Sequence, residues 1–262
     1  MLPNFPVLSD WIHQEADRLN LIIDIGNTRS KIGVFKNEEM VHTTIWQKGW
    51  SLEKLKRFLR KYEITHAALS TVAGVSSSIE ALLSECTHYL KLSYKTPLPI
   101  QNAYKSPKTL GRDRLAAVVG AYSLYPDEAC LVIDAGTCIT YDLIDRDRVY
   151  QGGNISPGLE MRFRAMHEFT AGLPLLKRRH HSGLIGQSTK SAMRTGSQWG
   201  CLFEIDGFIT QYRRQFGKLR VVMTGGSADY LANHLKTKIF VHPNLVLEGL
   251  NEILNYNVQT LD

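Results

Sequence analysis

Two short segments of the chain have the residue types of a phosphate-binding turn. One, DIGNT, occupies residues 24–28, the other, DAGT, occupies residues 134–137, and each follows a short apolar run. The glycine lets backbone N–H groups approach an anion, and the threonine hydroxyl can donate to a phosphate oxygen. The aspartate cannot bind an anion directly, but it can hold a metal ion that does. Two such segments predict a duplicated domain that holds a nucleotide in the cleft between its halves.

The first segment continues to Lys31, and we interpret it as a β-hairpin turn around nucleotide phosphates. The turn amides, Thr28 and Lys31 would contact the phosphates, and Asp24 would position Mg²⁺ through water, because Mg²⁺ keeps most of its waters. The alternative is an ordinary hairpin of asparagine and glycine; the second copy of the turn favours the phosphate site. A Walker A loop is excluded, because the chain has no GxxxxGK[ST] sequence.

A third segment, GRDR at residues 111–114, stands where a loop passes into an Ala/Val-rich helix. Phosphoryl transfer to an alcohol needs an acceptor for the hydroxyl proton and cations for the spreading charge. Asp113, flanked by Arg112 and Arg114, could supply both. The residues alone slightly favour another interpretation, in which Asp113 is an N-terminal helix acid stabilised by the helix dipole and the arginines are solvated.

A fourth segment, TGG at residues 224–226, follows an apolar strand-like run. A double glycine there either lets the backbone approach a flat ligand such as adenine or forms a helix cap. As a third element after two phosphate turns, it completes a pattern that resembles the actin, sugar kinase and Hsp70 superfamily, whose members hold ATP between two related domains.

The spacing of apolar residues predicts an α/β fold in which the order of elements in the first half recurs in the second. We expect an extension at residues 1–20, a first actin-like (ribonuclease H-like) ATPase domain at 21–112 and a second at 113–262. The predicted elements include strands at 67–72, 89–94, 149–153 and 238–241 and helices at 111–124, 189–216 and 247–256.

Composition excludes several classes of protein. The 262 residues are 44% hydrophobic and 21% charged, so the chain can bury a substantial core and is not disordered. No apolar run approaches the ~20 residues of a membrane span. The four cysteines have no CxxC spacing, so we expect reduced thiols in a cytosolic protein rather than disulfides or a zinc site.

The net charge of +6 is compatible with nucleic acid or with small anionic substrates. The only dense basic cluster, KRRHH at residues 177–181, has no interleaved aromatic residues. We interpret it as a solvated or anion-facing loop and expect no nucleic-acid partner. Its two histidines have no carboxylate or cysteine at metal-ligand spacing, so they predict no metal site.

Seven motifs together resemble those of the type III pantothenate kinases. In chain order they are DIGNT (24–28), GRDR (111–114), DAGT (134–137), GGNISPG (152–158), FTAGLP (169–174), STKSAMRTG (188–196) and TGG (224–226). No single motif is specific, but the ordered set is, and the resemblance covers residues 21–256. It implies a bacterial enzyme that phosphorylates pantothenate with ATP in the first step of coenzyme A synthesis. It further implies a cytoplasmic homodimer that uses Mg²⁺ with ATP and a monovalent cation, K⁺ or NH₄⁺.

The resemblance also implies a role for each matching residue. Asp113 would accept the proton of the pantothenate hydroxyl, Asp134 would bind the monovalent cation, and Asp24 would hold Mg²⁺. ATP would be bound by Asp24, Ile25, Gly26, Asn27, Thr28, Arg29, Ser30, Lys31 and Thr137. Pantothenate would be bound by Tyr104, Gly111, Arg112, Asp113, Arg114 and Thr189. Arg112 and Ser188 depart from the residues usual in the family, which could alter substrate fit.

Three other functions stay open at this point. The protein could be a kinase of the same superfamily for another small alcohol or acid. It could be a regulatory protein that keeps the fold without turnover, although Asp24, Asp113, Asp134 and Thr137 are all present. It could also be a phosphatase of polyphosphate or nucleotides, which would release phosphate without an alcohol acceptor.

Overall fold

The computed structural model describes residues 18–26, 29–46, 51–71, 75–179 and 183–259, so most of the predicted extension lies outside the described residues. The strands of a first sheet are β1 (Leu19–Ile25), β2 (Ser30–Lys36), β3 (Glu39–Trp46), β4 (His66–Thr71) and β5 (His88–Lys91). They lie in the order β3-β2-β1-β4-β5. β1, β2 and β3 form an antiparallel meander, and β4 and β5 continue the sheet parallel to β1.

Two helices, α1 (Leu52–Tyr62) and α2 (Ser77–Cys86), pack against one face of this sheet. α1 begins where the Ser51 side chain accepts a hydrogen bond from the N–H of Lys54, and it ends at Glu63, whose φ of 48° is left-handed. Successive residues of β1 alternate between the faces, so Leu21 and Ile23 contact these helices while Ile22 joins a different core.

The second sheet repeats the topology of the first. Its strands are β6 (Gln101–Asn102), β7 (Cys130–Ala135), β8 (Cys138–Ile144), β9 (Val149–Pro157), β10 (Arg220–Thr224) and β11 (Phe240–Val241). Five of them lie in the order β9-β8-β7-β10-β11, with the same pattern of antiparallel and parallel pairs as β3-β2-β1-β4-β5. The predicted recurrence of element order is therefore confirmed.

Helices α4 (Leu159–Glu168), α5 (Thr189–Phe216) and α6 (Ala228–Ala232) belong to the second half. They share a core with the outer face of the second sheet, in which Ile133 of β7 lies with Phe163 of α4 and Ile205 of α5. Although α5 has 28 residues, no helix in the described part of the chain is apolar enough over sufficient length to cross a bilayer.

Two further helices, α3 (Arg112–Leu124) and α7 (Leu245–Gln259), share one core with strands of both sheets, including Ile22 of β1 and Val132 of β7. α7 contacts β1, β2 and β4 although it lies at the far end of the chain, and β6 pairs with β9 of the second sheet. A helix of the predicted second domain thus packs on the first sheet, and a strand of the predicted first domain pairs with the second sheet. The domain boundary between residues 112 and 113 stays a prediction.

Glycines allow α3 and α7 to approach closely. A Cβ atom on Gly120 would lie 2.6 Å from the carbonyl oxygen of Leu245, and one on Gly249 would lie 1.8 Å from the carbonyl oxygen of Ala116. Real Cβ atoms do not come this close to backbone, so neither position tolerates a side chain without a shift of one helix.

Some predicted strands have different bounds. The strand expected at 89–94 ends at Lys91, because residues 93–96 form a turn in which the Thr96 N–H donates to the Ser93 carbonyl at 3.3 Å. The strand expected at 149–153 extends to Pro157, because residues 154–157 pair with β8. The strand expected at 238–241 is reduced to the two residues that pair with β10. The long helix at 189–216 has the expected bounds.

We predict that Gly249→Ala destabilises the protein by about 1–3 kcal/mol in urea unfolding, because the methyl group would overpack the contact between α7 and α3. Gly207→Ala is the matched control, since Gly207 also lies within a helix but its Cβ would meet open space. That change should stabilise the protein by up to about 1 kcal/mol through helix propensity. Equal effects of the two substitutions would contradict the close helix contact.

Candidate active site

The first acidic turn closes the hairpin between β1 and β2. Asp24 pairs with Lys31 across the hairpin, and the N–H of Gly26 donates to the carbonyl of Arg29 at 3.1 Å. Residues 27 and 28, which complete the predicted phosphate turn, lie outside the described residues. The hairpin expected at this position is present, and its acid is the penultimate residue of β1, a strand with no exposed residue.

The second acidic turn closes the hairpin between β7 and β8. Asp134, at the end of β7, pairs with Thr140 of β8, and the N–H of Gly136 donates to the carbonyl of Cys138 at 2.9 Å. Between them Thr137 is exposed at the tip of the hairpin. Each half therefore has a hairpin in which an aspartate is followed two residues later by a glycine whose N–H is bonded within the hairpin, although four residues separate β1 from β2 and two separate β7 from β8.

Asp113 lies in the first turn of α3, two residues after the N-cap Gly111. Its Oδ1 accepts the backbone N–H of Arg114 at 2.9 Å. Burial raises the pKa of Asp24 to about 7, and the negative charge of Asp113 is the next cause. Burial also raises the pKa of Asp134 to about 6, again with Asp113 second. Asp113 is thus a helix N-terminal acid that also lies within electrostatic reach of both acidic turns.

A group of carboxylates in one cleft suits hard cations such as Mg²⁺ and K⁺, which prefer oxygen ligands. Within the described ranges, no three acidic, histidine or cysteine side chains lie close enough to share one metal ion. A metal ion here would therefore take at most two of these side chains and need water or ligand oxygens for the rest of its coordination.

Two basic side chains accompany the carboxylates. Lys31 Nζ donates to the carbonyl oxygen of Pro243 at 2.5 Å, and burial, followed by the charge of Arg29, lowers the pKa of Lys31. The Arg29 guanidinium lies over Gly226, where a Cβ would come within 2.8 Å of Nη2. Both side chains line a cavity of about 490 Å³ whose other wall is formed by Gly225, Gly226, Asp229, Pro243 and Asn244. Cations opposite exposed glycine backbone suit a polyphosphate chain.

The TGG segment touches the second acidic turn. Gly225 has a φ of 96°, and a Cβ there would lie 2.4 Å from Asp134 Oδ1. The N–H of Ser227 donates to the carbonyl of Ala135 at 3.0 Å. Gly225 therefore gives room to the Asp134 carboxylate, and Gly226 gives room to Arg29. The sequence left two interpretations of this segment open, approach of the backbone to a flat ligand such as adenine and a helix cap; the structure places both glycines against side chains of the two turns, directly before Ser227, the N-cap of α6.

The GGNISPG segment also supports this turn. The N–H of Gly158 donates to the carbonyl of Thr137 at 3.1 Å, and a Cβ at residue 158 would lie 2.4 Å from that oxygen. Only a glycine allows the end of β9 to pack against the tip of the β7–β8 hairpin.

The two arginines of GRDR are held by protein groups. The Arg112 guanidinium donates to carbonyl oxygens of the preceding loop at residues 107, 108 and 110, at 2.5–3.2 Å. The Arg114 guanidinium donates to the Asp142 carboxylate at 2.6–3.1 Å, with both side chains buried. Neither arginine matches the interpretation in which both are simply solvated.

Two predicted substrate contacts lie in different surroundings. The Tyr104 ring lies 5.6 Å from the Arg114 guanidinium carbon, which connects it to the start of α3. Thr189 is exposed as the first residue of α5, after the N-cap Ser188. Across the described ranges, no hydrogen bond or ion pair joins Thr189 to Asp113.

Sequence reasoning missed Ser70, Asp142 and Tyr150. Ser70 is buried beside Asp24 in the parallel register of β1 and β4, and no motif marks it. Asp142 had a usable signal, because it is a single acid inside the otherwise apolar strand pattern of β8. In the basic cluster, the Arg178 guanidinium carbon lies 5.2 Å from the centre of the Tyr230 ring, and residues 180 and 181 lie outside the described residues.

Comparison with known proteins identifies the family of this chain. The model of the type III pantothenate kinase family matches residues 20–211. The chain belongs to the type III pantothenate kinase family. A type III pantothenate kinase from Bacteroides fragilis is 43% identical over 240 residues, which cover 91% of this chain and 98% of that protein. One from Cytophaga hutchinsonii is 40% identical over 92% of this chain and 100% of its own length.

Solved structures show the same fold at low sequence identity. A Baf family protein from Campylobacter jejuni aligns with a TM-score of 0.59 and 20% identity, over 91% of this chain and 99% of its own. A ROK family protein from Streptococcus pneumoniae, solved with sucrose, aligns with a TM-score of 0.53 and 13% identity, over 92% and 99%. With the repeated sheets, these likenesses establish the predicted duplicated actin-like α/β fold of this kinase.

The carboxylate cluster predicts a pH-dependent stability of the metal-free kinase. Asp24 has a pKa of about 7 in the folded protein against 3.8 for the ordinary side chain, so the folded state holds the proton more tightly. Stability from this group is therefore lost as pH rises from about 4 to 7. Asp24→Asn cannot ionise, and its melting temperature in EDTA should exceed the wild-type value by roughly 3–8 °C at pH 8 and by less at pH 5.

Asp147→Asn, on the exposed turn between β8 and β9, is the control for loss of a carboxylate outside the site. Its melting temperature should differ from wild type by a small amount that does not vary between pH 5 and pH 8. A difference for Asp24→Asn that is equally independent of pH would contradict the raised pKa of Asp24.

Proposed function

We propose that this protein transfers the γ-phosphoryl group of ATP to the primary hydroxyl of pantothenate, the first step of coenzyme A synthesis. Membership of the type III pantothenate kinase family supports the substrate pair. The observation that carries the proposal is that the negative charge of Asp113 contributes to the raised pKa of the aspartate in each acidic turn, so Asp113 lies near both turns. A proton acceptor beside two phosphate-type turns is the arrangement that phosphoryl transfer to an alcohol needs.

We assign ATP to the cavity beside Arg29 and Lys31. The β1–β2 turn, comprising Asp24, Ile25, Gly26, Asn27, Thr28, Arg29, Ser30 and Lys31, would surround the phosphates from one half. Thr137 would contact them from the other half. Mg²⁺ would be held near Asp24 through water, and when bound it would neutralise phosphate charge and orient the γ-phosphate.

Pantothenate would lie on the α3 side, with contacts from Tyr104, Gly111, Arg112, Arg114 and Thr189. Asp113 would accept the proton of the primary hydroxyl while that oxygen attacks the γ-phosphorus in line with the departing ADP. Turn amides, Thr28, Thr137 and Lys31 would stabilise the charge that spreads over the phosphate oxygens. A single direct transfer suffices, so no covalent phosphoenzyme is required.

We assign a monovalent cation, K⁺ or NH₄⁺, to Asp134. Its carboxylate fits such an ion, because it is buried against the glycine backbone at residues 136 and 225 and is repelled by Asp113. A bound cation would offset that repulsion. We also propose a cytoplasmic homodimer, on family grounds alone.

The first test concerns the proton acceptor. Asp113→Asn should keep the fold and MgATP binding but lower pantothenate-dependent ADP release by roughly 10²–10⁴-fold, the usual contribution of a general base. Near wild-type turnover in this variant would remove Asp113 from the mechanism. ADP or phosphate release by the wild-type enzyme without any pantothenate would instead indicate a phosphatase, and no turnover at all would favour a regulatory role.

The second test concerns the cation. Wild-type ADP release should be higher in KCl or NH₄Cl than in NaCl of equal ionic strength, on the order of tenfold, which corresponds to about 1.4 kcal/mol of barrier. Asp134→Asn should lose this difference. K⁺ should also raise the melting temperature of the wild-type protein but not that of the variant. Retention of K⁺ dependence in Asp134→Asn would exclude Asp134 as the cation ligand.

A further inference from the structure

Arg114, the residue that follows the proposed proton acceptor Asp113, forms a buried ion pair with Asp142. Arg114 Nε and Nη2 donate to Asp142 Oδ1 at 3.0 and 2.6 Å, and Nε also reaches Oδ2 at 3.1 Å. The hydroxyl of Tyr150 donates to the same Oδ1 at 2.6 Å. The exposed fractions of the two charged side chains are 6% and 1%, so substrate-sized groups do not reach the Asp142 carboxylate.

A buried ion pair of this kind contributes little net free energy to folding. Desolvation of two charges offsets most of their attraction, and apolar side chains of similar volume often stabilise a fold as well or better. What the pair does provide is a fixed geometry, because a guanidinium with two parallel hydrogen bonds to one carboxylate has little freedom to rotate.

The anchored Arg114 is hydrogen-bonded to Asp113 through its backbone. Arg114 is the next residue along the first turn of α3, and its backbone N–H is the donor to Asp113 Oδ1 at 2.9 Å. A carboxylate that accepts a hydrogen bond from the following N–H is oriented by the backbone of that residue. An anchor on the Arg114 side chain therefore restrains the direction of the Asp113 carboxylate.

The guanidinium of Arg114 also lies against the ring of Tyr104. The Arg114 guanidinium carbon lies 5.6 Å from the centre of the Tyr104 ring, and that ring stacks on Tyr150 with centres 6.1 Å apart and planes at 18°. Gly152, with a φ of 99°, lies against the ring, and a Cβ there would come within 3.2 Å of it. Tyr104 is thus held between the partner of Asp142 and a second donor to Asp142.

We propose that Asp142 is a positioning residue for the acceptor side of the site, acting through Arg114 on Asp113 and through Arg114 and Tyr150 on Tyr104. This role rests on the proposed function, in which Asp113 accepts the hydroxyl proton and Tyr104 contacts pantothenate. No hydrogen bond among the described residues links this ion pair to Arg29 or Lys31 on the nucleotide side, and the charge of Asp142 is a lesser cause of the raised pKa of Asp134, after burial and Asp113.

The test is Asp142→Asn, which keeps the volume of the side chain and removes its charge. We expect kcat/KM for pantothenate to fall roughly 10- to 100-fold, because small displacements of a reacting group have effects of this size. The loss should be divided between kcat and the KM for pantothenate, while the KM for ATP and the Kd for MgADP stay within about twofold of wild type.

Tyr150→Phe is a milder variant in case Asp142→Asn folds poorly, since it removes one hydroxyl and no charge. It should lower kcat/KM for pantothenate in the same direction but by less. Within an Asp113→Asn background, Asp142→Asn should change kcat by much less than in wild type, because both act on the same group.

Glu204→Gln is the matched control. Glu204 also accepts hydrogen bonds from a tyrosine hydroxyl and an arginine, namely Tyr141 and Arg162, but among the described residues no hydrogen bond joins it to α3. Its loss should lower the melting temperature without changing the kinetic constants.

The outcomes separate the positioning role from the proposed function. An active wild-type enzyme whose Asp142→Asn and Tyr150→Phe variants lose only thermal stability, as the control does, overturns the positioning role alone. Wild-type protein that neither binds pantothenate nor releases pantothenate-dependent ADP overturns the proposed function, and the positioning role with it. A pantothenate-specific loss absent from Glu204→Gln supports both.

Discussion

The burial of two carboxylates, Asp24 and Asp134, near the negative charge of a third, Asp113, is the physical constraint at the centre of the cleft. Asp24, Asp113 and Asp134 come from three separate elements, and burial and mutual charge raise the pKa of the first and third into the range of neutral pH. Within the cleft Lys31 and Arg29 counter only part of this charge. Burial of like charges in this way is unfavourable, and the cations proposed above would offset that cost if bound.

The position of Asp113 depends on contacts far from the cleft. Asp113 lies at the start of α3, and α3 is held against α7 by the close approach at Gly120 and Gly249. α7 is fixed to the first sheet by the amide of Asn20, which donates to Asn251 at 2.7 Å and to Asn255 at 3.0 Å. A helix pair with one member on each sheet therefore sets the distance between the acid of α3 and the acidic turns.

The sequence predicted the parts of this protein that are local. The hairpin turns after β1 and β7, the start of α3 after its loop and the bounds of α5 follow from residue spacing within a few residues. Their recurrence predicted the duplicated fold. The ion pair of Arg114 and Asp142 and the packing of α7 on the first sheet join residues distant along the chain, and no local pattern specifies such partners. The role of Gly225 was also hidden, because a glycine next to a strand does not reveal which carboxylate it gives room to.

The duplication explains which residues had to differ between the halves. The hairpin registers align Asp24 with Asp134, and by the same registers Gly33 of β2 is the counterpart of Asp142 of β8. A Cβ at Gly33 would meet Leu247 of α7 at 3.3 Å, whereas Asp142 meets Arg114 of α3. One strand position thus faces the helix pair from both sheets, through apolar packing in the first half and through an ion pair in the second. The repeated turns suit a ligand gripped symmetrically at its phosphates, and this asymmetric position lies where the proposed acceptor must be oriented. The difference between Gly33 and Asp142 at this equivalent position therefore gives only the second half an ion pair beside the proposed acceptor site.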